Sequence, residues 1–66
     1  MNIIVNGENR EVVDSLTVKG LLEKLDIKSE NVVIELNREI IGKEQFEIAK
    51  IKENDQLEIV HFVGGG

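Results

Sequence analysis

Only one stretch of this 66-residue sequence carries a helical stripe. In "DSLTVKGLLEKLDIKSEN", Val18, Leu21, Leu22 and Leu25 stand at i, i+3, i+4 and i+7, the spacing that lines one face of an amphipathic helix. The runs on either side are rich in β-branched residues, so a single helix must be fitted beside several short strands. One helix covers only one face of a sheet. The chain is therefore expected to be an α+β domain whose second sheet face meets water or a partner. Thr17 is placed to cap the helix N-terminus. Gly20 inside the helix costs about 1 kcal/mol relative to alanine, a cost expected where helix packs closely on sheet. Glu23, Lys24 and Asp26 form the solvated face.

Ahead of the helix, "NIIVNGENREVV" holds two β-rich runs around Asn6-Gly7, the strongest short-range hairpin signal. Ile3 and Val5 alternate with Asn2, Ile4 and Asn6, so the first strand presents one side to a core. After the helix, "NVVIELNREIIG" reads as a strand, a tight turn at Asn37-Arg38-Glu39 and a return through Ile40 and Ile41. "KEQFEIAKIKENDQ" is irregular, with one helical turn expected near Phe46 and a polar turn at Glu53-Asn54-Asp55. The last strand runs from Leu57 to Val63. The order is β-β-α-β-β-β: a mixed sheet of four to five strands with one helix on one face.

Several function classes are excluded early. A chain this short is one domain and buries only about 60% of its unfolded surface, which leaves little room for a cleft and its supporting shell. An enzyme is not expected. Thirteen Asp and Glu against eight Lys and Arg give a net charge of −5, the wrong sign for a phosphate backbone, so no nucleic acid partner is expected. Without cysteine there is no disulfide framework, thiol nucleophile or thiolate metal site. His61 is the only histidine, and a triad written from Ser15 or Ser29, Asp14 and His61 has no flanking motif to support it. The carboxylates lack calcium-loop spacing. No signal peptide is legible, and no run approaches the roughly 18 apolar residues of a membrane span. The expectation is a cytoplasmic protein with no catalytic residues, no resident cofactor or metal and no membrane contact.

The sheet faces carry more information. If Leu57 and Ile59 point inward, Val60 and Phe62 point outward with Glu58. By the same alternation Val32, Ile34 and Leu36 go to the helix side, leaving Val33 and Glu35 outside with Ile4. Ile4, Val33, Val60 and Phe62 are thus expected to form an apolar, partner-binding patch on the uncovered face. The competing expectation is that "KEQFEIAK" folds over them.

The sequence closes on "HFVGGG". The reading is a compact body over residues 1–63 and a flexible tail over 64–66. Three extended glycines reach about 10 Å, and without Cβ atoms they enter slots closed to other residues. Glycine runs also serve as linkers or slack ends. A terminal carboxylate is ionised at neutral pH and is a poor electrophile. Activation by ATP to an acyl-adenylate opens its carbonyl carbon to attack, and a sulfur nucleophile would leave sulfur on the chain end. In a chain without a thiol this is one chemistry the tail permits. Conjugation to a lysine, or no chemistry at all, are others.

The order of elements and the Gly-Gly ending resemble the ubiquitin-like β-grasp carriers. "NREIIGKEQF" followed by "DQLEIVHFVGGG" more closely resembles the ThiS family of sulfur carriers in thiamine thiazole biosynthesis, from "NIIVNG" to the last glycine. The resemblance implies that an E1-like adenylyltransferase adenylates the Gly66 carboxylate with ATP and Mg²⁺, both belonging to that enzyme. It further implies that sulfur arrives from a cysteine desulfurase persulfide and that thiazole synthase accepts it from the Gly66 thiocarboxylate. Gly64 and Gly65 would thread into the partner's active site, while Val60, Phe62 and Val63 would be gripped before the tail. The Gly-Gly ending is shared with MoaD-type carriers of molybdopterin synthesis and with ubiquitin-like modifiers, which remain alternatives, as does a plain β-grasp interaction module.

Overall fold

Two asparagine turns organise the sheet. The computed structural model of the chain describes residues 1–62; the expected boundary at residue 63 and the glycine run 64–66 lie outside them. Strand β1 (Asn2–Val5) and strand β2 (Glu8–Glu11) are joined by Asn6-Gly7. Both turn residues have left-handed backbone, φ 50° and 81°, the signature of a type I′ hairpin turn whose twist matches that of the strands. The second strand is "ENRE", earlier than the β-branched "EVV" suggests, and all four residues are exposed. Its place at the sheet edge explains this, because charged side chains protect an edge from unwanted pairing.

Helix α1 (Val18–Lys24) follows, with the Gly20 N–H donating to Thr17 Oγ1 at 3.0 Å as the cap. Val18, Leu21 and Leu22 are buried, while Leu25 closes the helix half-buried at its C-cap. Gly20 differs from its expected role. A Cβ there would meet Leu16 Cδ1 at 2.9 Å, so its close neighbour is the segment leading into the helix and not the sheet.

A 3-10 turn (Ser29–Asn31) leads into β3 (Val32–Leu36), which returns as β4 (Glu39–Ile41). The turn between them is two residues, Asn37 and Arg38, again both left-handed at φ 52° and 72°; Glu39 already belongs to β4. A second 3-10 turn (Lys43–Gln45) ends at Phe46, and β5 (Gln56–His61) completes the sheet in the order β2-β1-β5-β3-β4. All neighbours are antiparallel except β1 and β5, which run parallel at its centre. The architecture is the mixed five-stranded sheet with one helix expected above.

The core lies between α1 and the sheet: Ile3, Val5, Val32, Ile34, Leu57 and Ile59 from strands, Val18, Leu21 and Leu22 from the helix. Leu16, Phe46 and Ile51 close it. Phe46 settles the question of "KEQFEIAK". Its side chain is buried in that core, and the segment is held to the helix by Val18 N–H to Ala49 O at 3.0 Å and Lys19 N–H to Phe46 O at 2.9 Å. Lys19 Nζ also reaches Glu47 Oε2 at 3.0 Å, and this hydrogen bond with the attendant charge raises the lysine pKa. The segment joins the helix layer and leaves the outer sheet face open.

Candidate functional site: the outer sheet face and the end of β5

Strand alternation and register assign the outer face. On β5, Leu57 and Ile59 are buried, so Gln56, Glu58 and Val60 face outward. The antiparallel register sets Val33 opposite Val60 and Glu35 opposite Glu58. Phe62 continues the outward parity, and its N–H donates to Asn31 O at 2.9 Å, so pairing with the β3 side persists past the last strand residue. Val60 is 53% exposed and Phe62 49% exposed. Val33, directly opposite Val60, is half-buried. These three residues form an apolar end to the face at the root of the glycine run.

Ile4 is on the same face but apart from them. It pairs with Gln56, four residues along β5 from Val60, which is ~13 Å at the usual strand rise of ~3.3 Å per residue. The Glu35–Glu58 row stands between. The expected patch is thus divided: an apolar end at Val33, Val60 and Phe62, an acidic middle, and Ile4 beyond it. Ile4, Glu35 and Glu58 line a shallow depression together with Arg38. Val63, Gly64, Gly65 and Gly66 lie outside the described residues.

One outward residue escaped the sequence reading. Ile40, 72% exposed, sits opposite Glu35 and shares the outer face. The signal existed: once the Asn37-Arg38 turn places Ile41 opposite Ile34, alternation sends Ile40 outward.

The strand that carries this face is clipped by asparagine at two points. At its start, Asn37 Oδ1 accepts from Gln56 N–H at 3.0 Å, and Asn37 N–H donates to Gln56 O at 2.8 Å. Further along, Ile59 N–H donates to Asn6 Oδ1 at 2.7 Å while Asn6 Nδ2 donates to Ile59 O at 3.2 Å. His61 pairs with Val32 and is exposed at the end of β5. Among the described residues no group of three or more His, Cys, Asp or Glu is arranged to hold a metal, and no helix is long and apolar enough to cross a membrane.

Known proteins share this fold. The model of the ThiS family matches residues 3–66. The sulfur carrier protein ThiS of Bacillus subtilis is 43% identical over 53 residues, which span 80% of each chain. A thiazole synthase of Paramagnetospirillum magneticum is 41% identical over all 66 residues, but these amount to 20% of its length. The chain thus spans about a fifth of the first curated relatives it matches, both thiazole synthases. The crystal structure of a thiamine biosynthesis protein (ThiS) from Geobacter metallireducens superposes with a TM-score of 0.87 at 39% identity, covering both chains completely. With the family model matched over nearly its whole length, the chain belongs to the ThiS family.

Proposed function

We propose that the chain is a sulfur carrier for thiamine thiazole synthesis, a protein co-substrate and not an enzyme. The observation that carries this reading is the match to the ThiS family over residues 3–66, which includes the glycine run and the strand before it. In this reading the Gly66 carboxylate attacks ATP in an E1-like adenylyltransferase, giving an acyl-adenylate and pyrophosphate. Sulfur from a cysteine desulfurase persulfide displaces AMP and, once its sulfur–sulfur bond is reduced, remains on the carbonyl carbon as a thiocarboxylate. Thiazole synthase accepts it. That the family segment recurs within proteins named thiazole synthase supports this partner over molybdopterin synthase.

The division of labour follows from physical chemistry. Ordering three glycines costs on the order of 3–6 kcal/mol, and the grip of a partner on Val33, Val60 and Phe62 offsets it. Gly64 and Gly65, without side chains, pass into the partner's active site, and Val63 joins the grip. ATP and Mg²⁺ stay with the activating enzyme, and the carrier works in the cytoplasm.

Intact-mass measurement tests the proposal. Incubation with ATP, an E1-like adenylyltransferase and a sulfur donor should exchange one oxygen for sulfur, and thiazole synthase should then discharge it. High-mass lysine conjugates would point to a modifier instead, and an unchanged mass would end the carrier reading. Deleting Gly66 should abolish loading without lowering the unfolding temperature, because among the described residues the last core position is Ile59.

A further inference from the structure

The parallel pairing of β1 with β5 stops early. Ile4 N–H donates to Asp55 O and Asn6 N–H to Leu57 O, each at 2.9 Å, and the chain then turns away through Gly7 into β2. The next rung of a parallel ladder would need the peptide groups that follow Asn6 on a continuing strand. The Asn6 side chain supplies them instead. A primary amide offers the same N–H donor and C=O acceptor as a peptide, and here both are used on one residue, Ile59, at 2.7 and 3.2 Å. On the other flank, β3 pairs with β5 as far as His61, and Phe62 is bonded to Asn31. The amide therefore extends two-sided support of β5 by one rung, to the residue just before Val60.

We propose that Asn6 is a positioning residue for delivery of the chain end, setting the twist of β5 at Ile59 and with it the heading of everything beyond. This rests on the sulfur-carrier reading above. Glycines offer a partner no side chain by which to correct an error of aim, so the heading is inherited from Val60, His61 and Phe62. Two of those three also belong to the apolar grip. If β5 twists at Ile59, Val60, Phe62 and whatever follows them swing together against Val33 and the rest of the sheet. A partner docked on the body then receives the carboxylate off line, and a displacement of an ångström slows its reaction.

Asn6→Gly separates the clip from the turn, because glycine keeps the left-handed φ of 50° but has no amide. Asn6→Asp provides a second variant, since Asp-Gly also favours this turn; it keeps the acceptor for Ile59 N–H but loses the donor and sets a carboxylate against Ile59 O. In Asn6→Gly, amide hydrogen exchange at Ile59 should accelerate about tenfold or more while that of Ile34 in the core stays unchanged. In Asn6→Asp, which keeps the acceptor, the acceleration should be smaller. With an E1-like adenylyltransferase, kcat for ATP-dependent activation should fall about tenfold with KM little altered. Unaltered exchange at Ile59 in Asn6→Gly, a loss confined to KM, or a loss that merely follows global unfolding would overturn the proposal. If the wild-type chain is not adenylated at all, the carrier reading fails and the delivery role with it. The exchange data would still report separately whether the clip holds.

Discussion

Gly20 shows how a single residue can carry two opposed free energies. Alanine at that site would gain helix propensity of up to about 1 kcal/mol. Its Cβ would stand 2.9 Å from Leu16 Cδ1, the far end of a side chain able to change rotamer, with Thr17 Oγ1 at 3.4 Å. Since an off-rotamer adjustment costs about 0.5–1.5 kcal/mol, Gly20→Ala should leave stability within about 1 kcal/mol of wild type, read as the midpoint of urea unfolding. A larger loss would mean that Leu16 is locked in place. The site also shows what spacing conceals at this scale. That Gly20 lies on a helix follows from its neighbours in sequence, but that Leu16 folds back over it does not. Asn6 is similar: its turn is legible from the Asn-Gly pair, while its amide bonds to Ile59 depend on a residue at the other end of the chain.

At the scale of elements, the two outer-face carboxylates of β3 and β5 are the clearest local conflict. Glu35 and Glu58 are direct cross-strand partners, and like charges so placed oppose pairing, with cross-strand terms of roughly 0.2–1 kcal/mol. Glu58→Gln should therefore raise the unfolding temperature modestly, and the gain should shrink in high salt because exposed charges are screened. A gain that persisted in high salt would assign the effect to something other than repulsion. The strands themselves were readable because alternation has a strict period of two and both hairpin turns begin with asparagine. Inward positions such as Ile3, Ile34 and Leu57 followed from that alone. Alternation does not supply position along a strand, so it groups Ile4 with Val60 although Glu58 intervenes, and Ile40 joins the outer face only once the turn at Asn37-Arg38 fixes its register. The bounds of edge strand β2, Glu8–Glu11, are hidden for a related reason: propensity favours the following "EVV", but an edge needs charge more than it needs β-branching.

For the whole molecule, the question is which surface a partner recognises. Val60 and Ile40 are exposed on the outer face, so an aspartate at either should fold normally. Val60→Asp and Ile40→Asp should each weaken binding to an E1-like adenylyltransferase, about tenfold or more if they sit centrally in the interface. Ile48, 71% exposed on the segment held to the helix layer, provides the control: Ile48→Asp should bind as wild type. Calorimetric titration alongside thermal melts would check all three, and equal weakening by all three variants would disprove recognition through the outer face. The parallel pairing of β1 with β5 has a consequence for biosynthesis. The strand at the middle of the sheet is the last of the five to be synthesised, and it contributes Leu57 and Ile59 to the core. A nascent or prematurely terminated chain lacking it has two hairpins with nothing between them, and their non-local closure must wait for β5. Only a product synthesised through β5 can acquire this shape, so termination upstream of it yields unfolded chains for proteolysis and not folded decoys that occupy a partner to no purpose.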